Sequence, residues 1–287
     1  MKKIGFKILQ KDIFLKFLSK MSNVRNEILL EFDLEKDLVI AKLGSIDGIV
    51  IRKDELKLSE VFRYIQKLNF DINKIKNGRI LCLIADLDTL IKTINKFVTD
   101  GDVWVFEHEN FIMVENRKSA KVKGIDSIVD VPSVDVDKVY IRTNGKVKAT
   151  FTVLCGELKD FPYLSDTYVK ELHNKDKYQF KVIFNENELE QLLDLCNAFS
   201  RVVENIKIEI KNKNVTFSNH SWEYSLNDSK VEGSEDIDIV IENRAIRELD
   251  VSTEFKEFNI CNKLVSFSNE NLTTLLLIAA SESDDRR

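Results

Sequence analysis

Two pairs of lysines have the spacing of a shared chemical task. Lys16 and Lys20 lie four residues apart, and so do Lys92 and Lys96. On a helix that spacing stacks both ammonium groups of a pair on one face. Cations projecting from such a face attract phosphate oxygens without reading bases. The alternative for these residues is an ordinary solvated helix face. Two acidic pairs, Asp86 with Asp88 and Asp236 with Asp238, could be imagined as metal ligands, but they read as helix-start and strand-edge carboxylates. The sequence has no Walker loop, no GxSxG, no HExxH and no paired Cys and His, so no enzymatic activity is expected. Its four cysteines (Cys82, Cys155, Cys196, Cys261) and three histidines (His108, His173, His220) are scattered. No metal site, disulfide framework or cofactor is therefore expected, and a reducing, cytoplasm-like compartment is.

The elements that must carry the lysines are legible from periodicity. IGFKIL alternates as a strand. In KDIFLKFLSKMSN, residues Ile13, Phe14, Phe17, Leu18 and Met21 fall on one helical face, with Lys16 and Lys20 roughly opposite. EILLEFD, KDLVIAKL and GIVIR read as strands. LSEVFRYIQKLNF reads as a helix, followed by a lysine-rich loop. RILCLIA is a strand leading into a second amphipathic helix, DLDTLIKTINKFV, which carries Lys92 and Lys96. DVWVFEH, NFIMVEN and SAKVKGI follow as strands.

The order then repeats. YQFKVIF is a strand, and NENELEQLLDLCNAFSRV is a helix with Leu189, Leu192, Leu193, Cys196 and Phe199 on one face. A hairpin turns at Asn212 to Asn214. WEYSLND and DIDIVIE are strands, NRAIRELD contains a short helix, and FKEFNIC, KLVSFSN and TTLLLIAA are further strands. Between the halves, residues 125–178 hold both prolines, Pro132 and Pro162, and a hairpin candidate with a two-residue turn at Asn144-Gly145. This divides the chain into domain 1 (1–124), a connector with an inserted hairpin (125–178) and domain 2 (179–287).

The 287 residues are 44% hydrophobic and 32% charged, with only nine Gly and two Pro, as in an ordinary globular protein. No apolar run is long enough to span a bilayer, and MKKIGFKILQKD lacks the apolar core of a signal peptide. Net charge is −5, so any DNA contact must come from a local basic patch on an acidic body.

This order of elements resembles the DNA sliding clamps, the family of proliferating cell nuclear antigen, and in pattern most resembles the clamps of T-even phages. NENELEQLLDLCNAFSRVVENIKIEIKNKNVTFSN resembles their second-domain opening, and KLVSFSNENLTTLLLIAASESDD their terminal hairpin and acidic tail. RILCLIADLDTLIKTINKF resembles the second helix of domain one. The resemblance implies an α+β fold of two similar clamp-type domains, with antiparallel sheets outside and helices inside, three chains closing a ring. It implies a phage-encoded homotrimer in the host cytoplasm, threaded on duplex DNA, holding a DNA polymerase and placed by a separate clamp loader.

For DNA it implies the basic residues Lys11, Lys16, Lys20, Arg25, Lys92, Lys96, Arg201, Arg244 and Arg247. For the pocket that takes partner peptides it implies Leu43, Ile49, Leu277 and Ala279. SWEYSLND falls at the strand that joins subunits, with Trp222 and Tyr224 as interface residues. Two other readings stand beside this one. The first is a clamp-fold processivity subunit that holds DNA on an open face as monomer or dimer. The second is an acidic, non-catalytic scaffold that never touches DNA. The helix at 187–201 favours the scaffold, since its polar face shows Glu190, Gln191 and Asp194 with only Arg201 basic.

Overall fold

The computed structural model describes residues 1–22, 24–65, 75, 78–109, 134–136, 138–145, 147–156, 164, 166–174, 178–233, 236–247, 249, 255–261, 263–269, 271 and 273–282. The strands expected from NFIMVEN and SAKVKGI, most of the lysine-rich loop, both prolines and the acidic tail at Asp284-Asp285 lie outside the described residues. The chain divides into two units. Unit 1 is Met1–Leu43 with Asp54–Tyr168, and unit 2 is Gly44–Lys53 with Val169–Arg287. Both are built of mostly antiparallel sheet with few helices.

In unit 1, β1 (Lys2–Ile8) leads into α1 (Lys11–Ser22), then β2 (Ile28–Asp33) and β3 (Leu38–Gly44). The strand β4 (Val50–Lys57) begins in unit 2 and ends in unit 1. Next come α2 (Leu58–Val61), β5 (Phe62–Tyr64), β6 (Arg79–Ile84) and α3 (Leu87–Phe97). β7 (Val103–His108), β8 (Val134–Asp135), β9 (Lys138–Asn144) and β10 (Lys148–Val153) follow. One sheet runs β10-β9-β7-β1-β5; in the other, β2 lies between β3 and β6. The apolar faces of both sheets and of α1 and α3 share one core. Alternation does the sorting. Ile28, Leu30 and Phe32 of β2 enter this core, while Leu29, Glu31 and Asp33 take the opposite face. An aromatic cluster fills the centre, with Phe14 4.9 Å from Phe62 and 5.6 Å from Trp104, both edge-on.

Both helices form as their periodicity requires. α1 buries Phe14, Phe17, Leu18 and Met21; α3 buries Leu87, Leu90 and Ile94. Asp86 caps α3 by accepting from Thr89 N at 3.0 Å, which is the helix-start role expected of it.

Two expectations in unit 1 are corrected. The helix expected from LSEVFRYIQKLNF ends after Leu58–Val61, and Phe62 is already extended at φ −132°, ψ 148°. Residues 62–64 instead pair with β1, with Ile8 opposite Phe62. Ladder pairing at the edge of β1, together with burial of the Phe62 ring against Phe14, outweighs the helical pattern. The hairpin expected as an insertion in a connector is part of the sheet, because β9 pairs with β7 across Val103–Glu107. Its turn is also longer than two residues: Asn144 pairs with Lys148, leaving three between them. Thr143 Oγ1 stitches this turn, donating to Val147 O at 2.7 Å and accepting from Ala149 N at 3.1 Å.

The longer segment of unit 2 begins within α4 (Asp166–Leu172), a helix that straddles the division between the units. It contains β11 (Phe180–Ile183), α5 (Glu186–Ala198), β12 (Asn205–Lys211), β13 (Asn214–Ser218), β14 (Glu223–Leu226) and β15 (Lys230–Gly233). β16 (Ile237–Glu242), α6 (Asn243–Ile246), β17 (Glu257–Cys261), β18 (Leu264–Ser268), β19 (Thr274–Ala279) and β20 (Ser281–Glu282) complete it. One sheet runs β14-β13-β12-β16-β20, and another series runs β15-β11-β17-β18-β19. α5 buries Leu189, Leu192, Leu193 and Cys196, while Phe217, Phe258 and Phe267 come from the strands. The β12–β13 hairpin turns through Asn212 and Lys213, both at positive φ (51° and 66°), the geometry that matches the right-handed twist of its strands.

Candidate nucleic-acid interface

The lysines of α1 and α3 sit on the faces these helices leave to solvent. Lys16, Lys92 and Lys96 are exposed and Lys20 is half-buried. α1 packs along α3, so the two pairs belong to neighbouring helices of one unit. None of the four forms an ion pair with a described residue. Lys96 lies over the Phe97 ring, 5.3 Å from its centroid, and Lys92 is near enough to Asp86 to add to the hydrogen bonds from Thr89 that keep that carboxyl ionised. What α1 and α3 present together is a set of cations, none in an ion pair with a described residue, on helical supports.

The other basic candidates differ in how far their charge is already answered. Arg25 pairs with Glu27, and Lys11 Nζ lies 3.5 Å from Asp12. In unit 2, Arg244 is ion-paired to both Asp47 and Glu242. The bond to Asp47 is the largest cause of its raised pKa. Asp47 is held at about 2, first by the Ser45 hydroxyl and then by Arg244. Arg247 donates to Asn197 Oδ1 at 3.1 Å, a neutral partner that leaves its charge free to act. Arg201 is exposed and borders a cleft of about 450 Å³ that Lys207 and His220 also line. Asp238, one of the suspected metal ligands, is held instead by Lys207 Nζ at 2.7 Å. Among the described residues no three His, Cys, Asp or Glu are grouped to hold a metal ion, and no helix is long and apolar enough to cross a membrane.

The acidic side of α5 has a specific use. Gln191 Oε1 accepts from the Tyr224 hydroxyl at 2.9 Å, and Glu188 accepts from the backbone just after β14. Glu188 and Gln191 of α5 thus hold β14 and the residues after it in place, while Glu190 and Asp194 face solvent. Among the described residues, β14 is an outer strand of its sheet, paired only to β13. Asn219 N donates to Trp222 O at 2.9 Å, which makes 219/222 a hydrogen-bonded pair. Antiparallel pairs alternate, so 217/224 is also bonded while 216/225 and 218/223 are not. The main-chain groups of Tyr224 therefore point into the sheet. Those of Glu223 and Ser225 point out along the open edge. Trp222 is half-buried, and its indole N–H meets no acceptor among the described residues. In unit 1, β10 is likewise an outer strand, with Lys148, Thr150 and Thr152 exposed.

The four residues expected to line a peptide pocket separate into two kinds. Leu43 and Leu277 are buried, at 0% and 1% exposure; Leu43 joins the unit 1 core, while Leu277 pairs with Ser266 on the face of its sheet opposite Phe267. Neither side chain is open to solvent in the chain as it stands. Ile49 is half-buried and Ala279 exposed, and they are joined by a 2.8 Å hydrogen bond from Ala279 N to Ile49 O. Between Leu43 and Ile49 the SIDG turn carries Ile46, which is 88% exposed and which the sequence did not single out. The turn is rigid: Asp47 accepts from Ile49 N at 3.1 Å, Ser45 Oγ accepts from Val50 N at 3.0 Å, and Arg244 anchors Asp47.

No protein-family model and no curated protein matches this chain. Among solved structures, a chain of the PCNA2-PCNA3 complex from Sulfolobus tokodaii is similar over 97% of this chain and 98% of its own, with a TM-score of 0.58 at 10% identity. The fold is that of a sliding clamp. At that identity the likeness is one of architecture, and it spans both units.

Proposed function

We propose that this protein is a DNA sliding clamp. Three copies close a ring around duplex DNA, with the helices inward and the sheets outward. The ring holds a replicative polymerase to its template and performs no catalysis itself. A separate, ATP-driven loader places it on DNA, in the cytoplasm of a phage-infected cell. The observation that carries the reading is the set of four lysines on α1 and α3, free of carboxylate partners, on a clamp fold. Arg247 and Arg201 would extend the cationic surface. Arg25, Lys11 and Arg244, already paired with carboxylates, would contribute less. Ring closure would join the open edge of β14 in one copy to the open edge of β10 in the next, removing both edges from solvent. The SIDG turn with Ile46 and Ile49, together with Ala279, would offer the partner-peptide contact.

The deciding experiment is mass in solution by light scattering, followed by primer extension on a long circular template with polymerase and loader. A trimer that lengthens products supports the clamp. A single chain at micromolar concentration that lengthens products favours the open-face processivity subunit. A protein without effect on extension favours the acidic scaffold.

A further inference from the structure

Glu188 lies in the first turn of α5 and is 6% exposed. A carboxylate there ordinarily reaches back to the N–H of the helix-capping residue. Here the cap is Asn185, and its N–H is taken by Ser229 Oγ at 3.2 Å. Ser229 in turn donates to Glu188 Oε2. This frees the other oxygen, Oε1, to accept from Asn227 N and from Asp228 N, the latter at 2.8 Å. The capping reciprocity is thus routed through a residue beyond β14, and one buried carboxylate fastens three consecutive residues, 227 to 229. One helical turn further along, Gln191 fastens Tyr224 within β14 itself.

We propose that Glu188 is a positioning residue for self-assembly: the α5 clasp holds β14 straight, so that its open edge can pair with a second copy of this chain. The inference rests on the ring reading above. An isolated four-residue outer strand is expected to fray, because one ladder and few neighbours hold it. Two observations make a second copy the fitting occupant. On the outward side, Ser225 O already accepts from the Asn227 side-chain amide at 3.3 Å, whereas the N–H groups of Glu223 and Ser225 point into open edge that another strand can fill. The charges also complement each other: the β14 edge shows Glu223 and ends at exposed Asp228, whereas the β10 edge shows exposed Lys148. Removing Glu188 leaves two part-buried amides without their acceptor, so the penalty falls on the strand that must pair.

The test uses the full chain as wild type, Glu188→Ala, Glu188→Gln, Ser229→Ala and, as control, Glu190→Ala on the solvent side of the same helix. Assembly is followed by analytical ultracentrifugation over a dilution series, and amide exchange at 223–229 by mass spectrometry. Glu188→Ala is expected to weaken assembly about tenfold or more, as removing a charged acceptor from two hydrogen bonds implies, and to speed exchange at 227–228. Glu188→Gln keeps an acceptor for the amides and falls nearer to wild type; Ser229→Ala moves both readouts in the same direction by less. Glu190→Ala matches wild type. Faster exchange with unchanged assembly overturns the role of Glu188, as does unchanged exchange. Should Glu188→Ala fail to fold, Glu188→Gln and Ser229→Ala decide on the same criteria. A wild type that never assembles overturns the ring reading itself, a result distinguishable from a wild type that assembles and variants that assemble equally well.

Discussion

Changing Lys16, Lys20, Lys92 and Lys96 together to Ala separates a DNA-facing surface from a merely solvated one. Removing one lysine–phosphate pair lowers the slope of log affinity against log salt by about 0.9. If all four act, the slope falls by about 3.6 per chain that touches the duplex. Between roughly 50 and 200 mM salt, a fourfold change, the wild-type affinity would then drop by about a hundredfold more than that of the variant. Folding stability should change by no more than about 0.5 kcal/mol for each exposed site. The half-buried Lys20 should cost slightly more, through the packing of its stem. Assembly should persist, since the edges proposed to join copies lie on β10 and β14 and not on these helix faces. The assay is primer extension with loader and polymerase over a salt series, paired with mass and thermal unfolding of both proteins. Product lengths equal at every salt concentration, from a variant of wild-type mass and melting temperature, would refute the assignment of these lysines to DNA.

Three further outcomes follow from geometry. Ser225→Pro removes an outward donor that no described intrachain pair uses, so mass by light scattering should drop to a single chain with the fold retained; Tyr224→Pro should instead destabilise the β13–β14 hairpin, because its N–H points inward. Glu31 and Lys42 form a 2.7 Å pair at 0% and 1% exposure, and Arg79 stands 3.7 Å from the other Glu31 oxygen, so Lys42→Met alone should cost less than the about 3–5 kcal/mol of a wholly unpaired buried charge, while Glu31→Leu with Lys42→Met should recover most of that cost in denaturant titrations. Asp47, held at about 2, is a lowered acid: its contribution is present above the unfolded value near 3.9 and disappears as pH falls towards 2. The stability gap between wild type and Asp47→Asn should therefore be constant from about pH 7 to about 5 and close below about pH 4; a gap that widens in acid would contradict the Arg244 pairing.

The local elements are legible in the sequence because their signals are local. The buried faces of α1, α3 and α5 follow the 3.6 period, and the Asp86 cap and the Asn212 turn need only their immediate neighbours. The lysine pairs are visible for the same reason, since i, i+4 spacing alone puts them on a shared face. Only tertiary structure decides which candidates keep their charge. Arg244 looks as free as Lys92 in sequence, but it meets Asp47, 197 positions away. Leu43 and Ile49 look alike as apolar strand residues; the first is wholly buried in β3, while the second ends up in the turn before β4 and is only half-buried. Phe62 reads as helical until β1 supplies a ladder and Phe14 an edge-on neighbour. The hairpin at 138–153 reads as an insertion until β7 pairs with it. At the start of α5 it is Ser229, 41 positions from Glu188, that takes the cap N–H and joins the Glu188 carboxylate to the segment after β14. In each case the deciding partner lies far away in the chain, and no period or spacing encodes pairings that form only when sheets and helices pack.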